Sequence, residues 1–152
     1  MNDQKQSSDI ELLTFKVADQ EYSLDITSVR EIRGWTRTTP MPHAPEYMRG
    51  VINLRGTVLP VMDLALRLNM TSQEISDRNV IIVVNMNGAL TGLLVDAVSD
   101  IVAMKEDDLQ PPPEASSNQS VPVVRALTLI DDRMIRVLDL SAIVPGSTDE
   151  AA

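Results

Sequence analysis

The sequence contains no cysteine and only one histidine, His43, among its 152 residues. A disulfide framework and a thiolate metal site are therefore excluded, and a cluster of histidine ligands cannot form. His43 lies in the segment Pro42-His43-Ala44-Pro45, where we expect an exposed loop residue rather than a catalytic base. The absence of cysteine agrees with a reducing cytoplasm.

Aromatic residues and basic residues are also scarce. The chain has four aromatic residues, and its 13 lysines and arginines face 22 carboxylates, so its formal charge is -9. Proteins hold a nucleic-acid backbone mainly with Lys and Arg, and they hold single strands by stacking bases on aromatic rings. The composition therefore argues against nucleic acid, including an oligonucleotide-binding barrel, and against an acidic membrane surface.

No apolar run approaches the roughly 20 residues that cross a bilayer, and the polar segment Met1–Asp9 does not have the form of a signal peptide. We expect a cytoplasmic protein without direct membrane contact. Residues 1–9 and 146–152 are small, polar and acidic, which predicts disordered tails around a folded domain at 10–145. The hydrophobic content of 43% is ample for the core of that domain.

The patterns inside the domain are mainly those of β-strands. Leu13, Phe15 and Val17 alternate with polar residues, which predicts a half-buried strand. The continuous run Val80–Val84 predicts a strand that is covered on both faces. Asn87-Gly88 is the strongest hairpin signal, because both residues tolerate a positive φ.

The two halves of the sequence resemble each other. Val58–Leu64 corresponds to Met134–Leu140, 76 residues later, and each is an apolar strand followed by Asp-Leu and a short predicted helix. Val29–Ile32 likewise corresponds to Val98–Ile101, and each segment follows a predicted hairpin. Pro60 lacks a backbone N–H, so its strand is predicted to be an edge strand or to contain a bulge.

This repeat predicts a mainly β fold of two five-stranded barrels with short helices. The barrels would comprise approximately residues 10–78 and 79–145, with terminal strands free to cross between them. A groove at the joint between them is a favoured place for binding.

A search for catalytic patterns finds no phosphate-binding loop and no nucleophile elbow, so we expect no enzyme. Several carboxylates stand singly at predicted strand ends, without the dense spacing of a calcium loop. Helix capping and turn formation are the expected roles of Asp25, Asp63, Asp96, Asp100 and Asp139.

Two charged residues raise a question about binding. Arg55 follows an apolar strand in the segment Gly50–Gly56, where it is either a solvated turn residue or a rigid ionic anchor for a partner. Glu31 lies on a predicted strand between apolar neighbours, and it is either ordinary surface or a partner contact. The residues alone leave both alternatives open.

Four motifs together resemble the CheW family of bacterial chemotaxis coupling proteins. They are Val29-Arg30-Glu31-Ile32-Arg33-Gly34, Gly50-Val51-Ile52-Asn53-Leu54-Arg55-Gly56, Leu59-Pro60-Val61-Met62-Asp63-Leu64 and Val95-Asp96-Ala97-Val98-Ser99-Asp100. The resemblance covers about Glu11 to Val144. It implies two SH3-like barrels around a common hydrophobic core, no cofactor, and a scaffold that bridges chemoreceptor tips to the histidine kinase CheA. The chain departs from the family at Ala126, where a glycine is usual.

The resemblance also implies partners and site residues. The partners would be the regulatory domain of a CheA-type kinase, the cytoplasmic tip of a chemoreceptor, and other CheW-like domains in rings beneath the inner membrane. A coupling role in pilus motility or second-messenger control is the alternative. The implied kinase-binding residues are Glu31, Ile32, Gly50 and Arg55. The implied receptor groove is lined by Val29, Val98 and Ile101.

Overall fold

The computed structural model describes residues 9–71, 75–86, 88–112 and 123–144. The predicted C-terminal tail, residues 1–8 of the predicted N-terminal tail, and Asn87 of the predicted hairpin lie outside these residues. Asp9, the last residue of the predicted N-terminal tail, instead begins the first strand, where it pairs with Lys105.

Within the described residues the chain forms ten strands and two short α-helices. In chain order they are β1 (Asp9–Val17), β2 (Gln20–Asp25), β3 (Val29–Gly34), β4 (Met48–Leu54), β5 (Thr57–Asp63), α1 (Leu64–Arg67), β6 (Val80–Met86), β7 (Ala89–Val95), β8 (Ala97–Lys105), β9 (Val124–Ile130), β10 (Arg133–Leu138) and α2 (Leu140–Ile143). Single 3-10 turns at Ile26–Ser28 and Glu106–Asp108 follow β2 and β8.

The strands form two sheets of five. The first sheet has the order β8-β1-β2-β10-β9, and the second has the order β3-β6-β7-β5-β4. Neighbouring strands are antiparallel except for the pairs β2–β10 and β5–β7, which are parallel. The predicted mainly β fold with two pseudo-repeated five-stranded units is confirmed.

The sheets do not follow a division of the chain at residue 78. The first sheet combines β1 and β2 with the last three strands, and the second sheet combines β3, β4 and β5 with β6 and β7. The chain crosses between the sheets after β2 and again after β7. Each sheet therefore contains strands from both halves of the repeat.

The repeat is also visible in the β-bulges and in the helix caps. Where β3 pairs with β6, one extra residue, Arg30, interrupts the register, and Ser99 interrupts the pairing of β8 with β1 in the same way. The side chains of Asp63 and Asp139 cap α1 and α2 by accepting backbone N–H bonds. The predicted correspondence between the halves thus extends to bulges and helix caps.

The largest hydrophobic cluster lies between the sheets and draws residues from both. β6 shows how the layers are arranged, because Ile82 and Val84 enter this shared cluster while Ile81 and Val83 enter a cluster on the other face of the second sheet. All four side chains are fully buried. The predicted common core and the predicted two-sided burial of Val80–Val84 are both present.

The prediction for Pro60 is wrong. β5 is not an edge strand, because β4 lies on one side of it and β7 on the other. The bulge in the β4–β5 pair lies on β4, between Met48 and Gly50. Pro60 is tolerated because the pairing with β7 begins only at Val61, one residue further along the strand.

Candidate interaction surfaces

Glu31 and Arg55 form an ion pair on the surface of the second sheet. Arg55 Nη2 donates to Glu31 Oε1 at 2.6 Å, and Arg33 Nη1 donates to the other carboxylate oxygen at 3.3 Å. Glu31 lies on β3 and Arg55 on the turn after β4, which are the two outermost strands of that sheet. The sheet therefore curls until its two edges meet at this pair.

The turn displays Arg55 in a fixed backbone conformation. Arg55 and Gly56 have φ values of +50° and +88°, as a two-residue hairpin turn requires. The Arg55 side chain is 68% exposed and that of Glu31 only 26%. The hydrogen bond from Arg55 lowers the pKa of Glu31 and raises that of Arg55, so both groups stay charged at neutral pH.

Ile32 and Gly50 do not share one surface with this pair. Ile32 is exposed, but it follows Glu31 on the strand and so faces the other way. Gly50 is buried, which means that no partner can touch it directly. Of the four residues implied for kinase binding, the structure brings together Glu31 and Arg55.

Gly50 is covered by residues 39–45, which we call the strap. The backbone of Thr39 exchanges two hydrogen bonds with that of Val51, at 2.8 and 2.9 Å. Gly50 has a φ of +140°, and a Cβ placed there would lie 2.7 Å from the Thr39 carbonyl carbon. Only glycine therefore fits between β4 and the strap. Ala126, the equivalent residue on β9, has no positive φ.

Val29 and Val98 occupy equivalent positions at the two crossings of the chain. Each is partly buried and packs against the shared core. Ile101, further along β8, is an exposed aliphatic residue, as is its counterpart Ile32 on β3. Val29 and Val98 thus have an apolar environment, whereas Ile101 is exposed, and the structure does not bring the three together in one cavity.

An open groove of about 700 Å³ lies where β1 begins and β8 ends, and Val29, Val98 and Ile101 do not line it. Its apolar lining comes from three elements, namely Ile10 on β1, Ile26 in the first 3-10 turn, and Met104 on β8. Acidic side chains form most of its rim, and Lys105 on the rim pairs with Asp9 at 2.7 Å. The remaining acidic rim residues are Glu11, Asp25 and Asp108. A groove of this character suits an apolar segment that carries basic residues.

The receptor residues implied by the resemblance do not include these lining residues. Ile10 shares a face of β1 with Leu12, opposite the face of Leu13, Phe15 and Val17, and Ile26 directly follows β2, so both carry a hydrophobic signal. An apolar residue gives the same signal in a core as in a groove. Ile10 comes to lie opposite Met104 only through the pairing of β1 with β8, which the sequence does not show.

Among the described residues, no group of three or more His, Cys, Asp or Glu side chains is placed to hold a metal ion. In the same part of the chain, no helix is long and apolar enough to cross a membrane.

Comparison with known proteins identifies relatives over most of the chain. The sequence pattern described as the CheW-like domain matches residues 11–147. A probable chemotaxis protein CheW from Rhizobium etli is 50% identical over 144 residues, which is 95% of this chain and 93% of the relative. A chemotaxis protein CheW from Rhizobium meliloti is 49% identical over 142 residues, with 93% and 92% covered.

The fold has a counterpart among crystal structures. The scaffolding protein TtCheW from Thermoanaerobacter tengcongensis matches with a TM-score of 0.81 and 31% identity, covering 92% of this chain and 95% of that one. The fold and these relatives define the chain as a scaffold protein of bacterial chemotaxis. It belongs to the CheW-like family.

Proposed function

We propose that this chain couples the cytoplasmic tips of chemoreceptors to a CheA-type histidine kinase, without catalysing a reaction itself. In this role it lies in the cytoplasm and is held at the inner face of the membrane through the receptors. The observation that carries the proposal is the presence of two different surfaces on one fold, the Glu31–Arg55 pair and the acidic groove.

The Glu31–Arg55 pair is proposed as part of the kinase-binding surface. Arg is frequent among the residues that dominate binding energy at interfaces, and Arg55 is displayed on a turn of fixed conformation. Glu31 holds the guanidinium in place and so reduces the conformational entropy lost on binding.

The groove is proposed as part of the receptor-binding surface, and Val29, Val98 and Ile101 are proposed as further receptor contacts outside its lining. Ile26 lies three residues before Val29, at the crossing of the chain from the first sheet to the second. An amphipathic helical tip would place apolar side chains against Ile10, Ile26 and Met104, and basic side chains at the acidic rim.

Reconstitution tests the proposal. Kinase autophosphorylation is measured with receptor fragments, with and without this chain, and we expect receptor control of the kinase only when the chain is present. Arg55→Glu should weaken kinase binding and leave receptor binding unchanged. Arg133→Glu is the matched control, because Arg133 also forms an exposed 2.6 Å ion pair, with Glu21, but on the first sheet. Receptor control without the chain, or equal effects of both variants, would contradict the proposal.

A further inference from the structure

Two arginines hold the carboxylate of Glu31. Arg55 Nη2 donates to one of its oxygens at 2.6 Å, and Arg33 Nη1 donates to the other at 3.3 Å. The pair of Glu21 with Arg133 differs, because the described residues hold no second cation for Glu21 within ion-pair distance. Two guanidinium groups and one carboxylate leave the first cluster with a net charge of +1, in a chain whose formal charge is -9.

Alternation along β3 places Arg33 beside Glu31 on the inner face of the second sheet. Glu31 lies opposite Val83 of β6 and Arg33 lies opposite Ile81, and both β6 residues belong to the second hydrophobic cluster. The side chains of Glu31 and Arg33 are accordingly only 26% and 29% exposed. A carboxylate so shielded from water is costly to leave without a counter-ion.

Arg33 is only loosely engaged by this contact. Its distance of 3.3 Å to Glu31 is longer than the roughly 2.7–2.9 Å usual for a charge-assisted hydrogen bond. Its Nε is buried and has no acceptor among the described residues. The guanidinium of Arg33 therefore has bonding capacity in reserve, and it can carry more of the charge of Glu31 when Arg55 is engaged by a partner.

Arg55 is the outward-facing member of the cluster, with 68% of its side chain exposed. Its planar guanidinium has five N–H donors and fits a carboxylate well. A pair of Arg55 with Glu31 alone would be neutral, and an approaching second carboxylate would be repelled by the first. The charge of Arg33 offsets that of Glu31 and so leaves Arg55 attractive to an outside anion.

We propose that Arg33 is a positioning residue of the kinase-binding surface, where it neutralises Glu31 so that Arg55 binds a carboxylate of the kinase. The inference rests on the proposed function and deepens it by assigning the chemical class of the group that Arg55 binds. A carboxylate is the chosen group because the exposed end of a cluster of charge +1 attracts an anion and repels a cation.

Kinase binding is measured by titration calorimetry on the full chain. Arg33→Gln should weaken it about tenfold, whereas Arg33→Lys, which keeps the charge, should bind within threefold of the unmodified chain. Arg78→Gln is the matched control, because it removes the same charge from an exposed loop residue, and it should change the affinity by less than twofold. Equal losses in Arg33→Gln and Arg78→Gln would reduce the effect to net charge and overturn the proposal.

A double-mutant cycle separates the proposed role of Arg33 from a structural one. In a Glu31→Gln background there is no carboxylate for Arg33 to neutralise, so the further change Arg33→Gln should weaken kinase binding by less than threefold. If Arg33 touches the kinase directly, or if its loss damages the fold, the tenfold loss should appear in both backgrounds. That result would overturn the role.

The pKa of Glu31 gives a second readout. In the free chain the hydrogen bond from Arg55 is the main cause of its lowered pKa, and the bond from Arg33 adds to it. In the complex with the kinase we expect the pKa of Glu31 to stay below the ordinary value of 4.5 in the unmodified chain and to rise in Arg33→Gln. NMR titration of the Glu31 carboxyl carbon measures both values, and equal values in the two complexes would contradict the role.

Three further outcomes locate a failure. If the unmodified chain does not bind the kinase, the proposed function fails and the role of Arg33 fails with it. If Arg55→Glu weakens kinase binding but Arg33→Gln does not, only the role of Arg33 is wrong. If kinase affinity does not fall as the salt concentration rises, the group that Arg55 binds is not a carboxylate, and the assignment is overturned.

Discussion

Arg67 and Ile143 are the last residues of α1 and α2, 76 residues apart, and the side chain of the first binds the backbone of the second. Arg67 Nε donates to the Ile143 carbonyl at 2.8 Å, and Nη2 donates to that of Ala142 at 3.0 Å. The guanidinium also lies over the Tyr47 ring, 5.0 Å from its centroid. One arginine thus connects the end of the first half to the end of the second.

We expect Arg67→Ala to lower the free energy of unfolding by about 2 kcal/mol, because two charge-assisted hydrogen bonds to helix-terminal carbonyls are lost. Urea unfolding measures the change, and hydrogen exchange should show faster opening of α2. Arg78→Ala is the control, since Arg78 is exposed in a loop and should cost less than about 0.5 kcal/mol. Equal costs for the two variants would contradict the assigned role.

The two helix caps should differ in strength although they are equivalent in the repeat. Asp63 is buried, caps α1 and pairs with Arg49 at 2.9 Å, whereas Asp139 caps α2 from a more exposed position. We expect Asp63→Ala to cost about 3 kcal/mol, because it leaves a partly buried arginine without its carboxylate. Asp139→Ala should cost about 1 kcal/mol, the usual cost of losing a cap. Chemical denaturation compares them, and the reverse order would show that burial of Asp63 is not decisive.

Removing a side chain from the shared core should affect both sheets together. Ile82 is fully buried between them, so Ile82→Ala should cost about 2–5 kcal/mol and unfold the protein in one cooperative step. Circular dichroism and tryptophan fluorescence of Trp35 would then follow the same transition. Val58→Ala serves as the exposed control, with a change within about 0.5 kcal/mol. Separate transitions for the two probes would argue against a common core.

The ion pair between Glu31 and Arg55 should make stability depend on pH in the acidic range. Because the pKa of Glu31 is lowered in the folded protein, its contribution is fully present above the ordinary value of 4.5 and is lost as the pH falls through the lowered value. The difference in unfolding free energy between the unmodified chain and Glu31→Gln should therefore shrink between pH 6 and pH 3. A difference that grows as the pH falls from 6 to 3 would contradict the lowered pKa of Glu31.

The groove predicts the effect of two apolar residues on receptor binding. Ile26→Ser and Met104→Ser remove apolar surface from its lining, so each should weaken binding of a receptor tip fragment about tenfold, in line with about 1–2 kcal/mol for a partly buried side chain. Raising the salt concentration should weaken binding further if basic residues of the receptor face the acidic rim. Ile32→Ser, an exposed isoleucine that does not line the groove, is the control. Unchanged receptor affinity in both groove variants would show that the receptor binds at another surface.

Local features of the fold could be predicted from the sequence. Alternation identified β1, the Val80–Val84 run identified a strand covered on both faces, and Asp63 and Asp139 identified both helix starts. These signals are local, since each depends on a few consecutive residues. The exchange of strands between the sheets could not be predicted, because it depends on which distant strands pair, and the error at Pro60 has the same origin.

The same distinction between local signals and long-range pairing applies to the candidate site. The sequence singled out Glu31 and Arg55 as charged residues in apolar surroundings but could not bring them within 2.6 Å, because that distance depends on the curvature of the whole sheet. The resemblance implied Gly50 as a kinase-binding residue, but the sequence does not show that residues 39–45 cover it. Ile10, Ile26 and Met104 went unnoticed because groove and core residues share the same apolar signal.

The crossing of the chain after β2 and after β7 has a mechanical consequence. A pull between a partner on the second sheet and a partner beside the first does not act on a boundary between two separable bodies. It acts on the two backbone connections between the sheets, after β2 and after β7, and on the hydrophobic core that both sheets share. One sheet therefore cannot be drawn away from the other without opening the shared core, and two partners held on different sheets stay at a fixed separation.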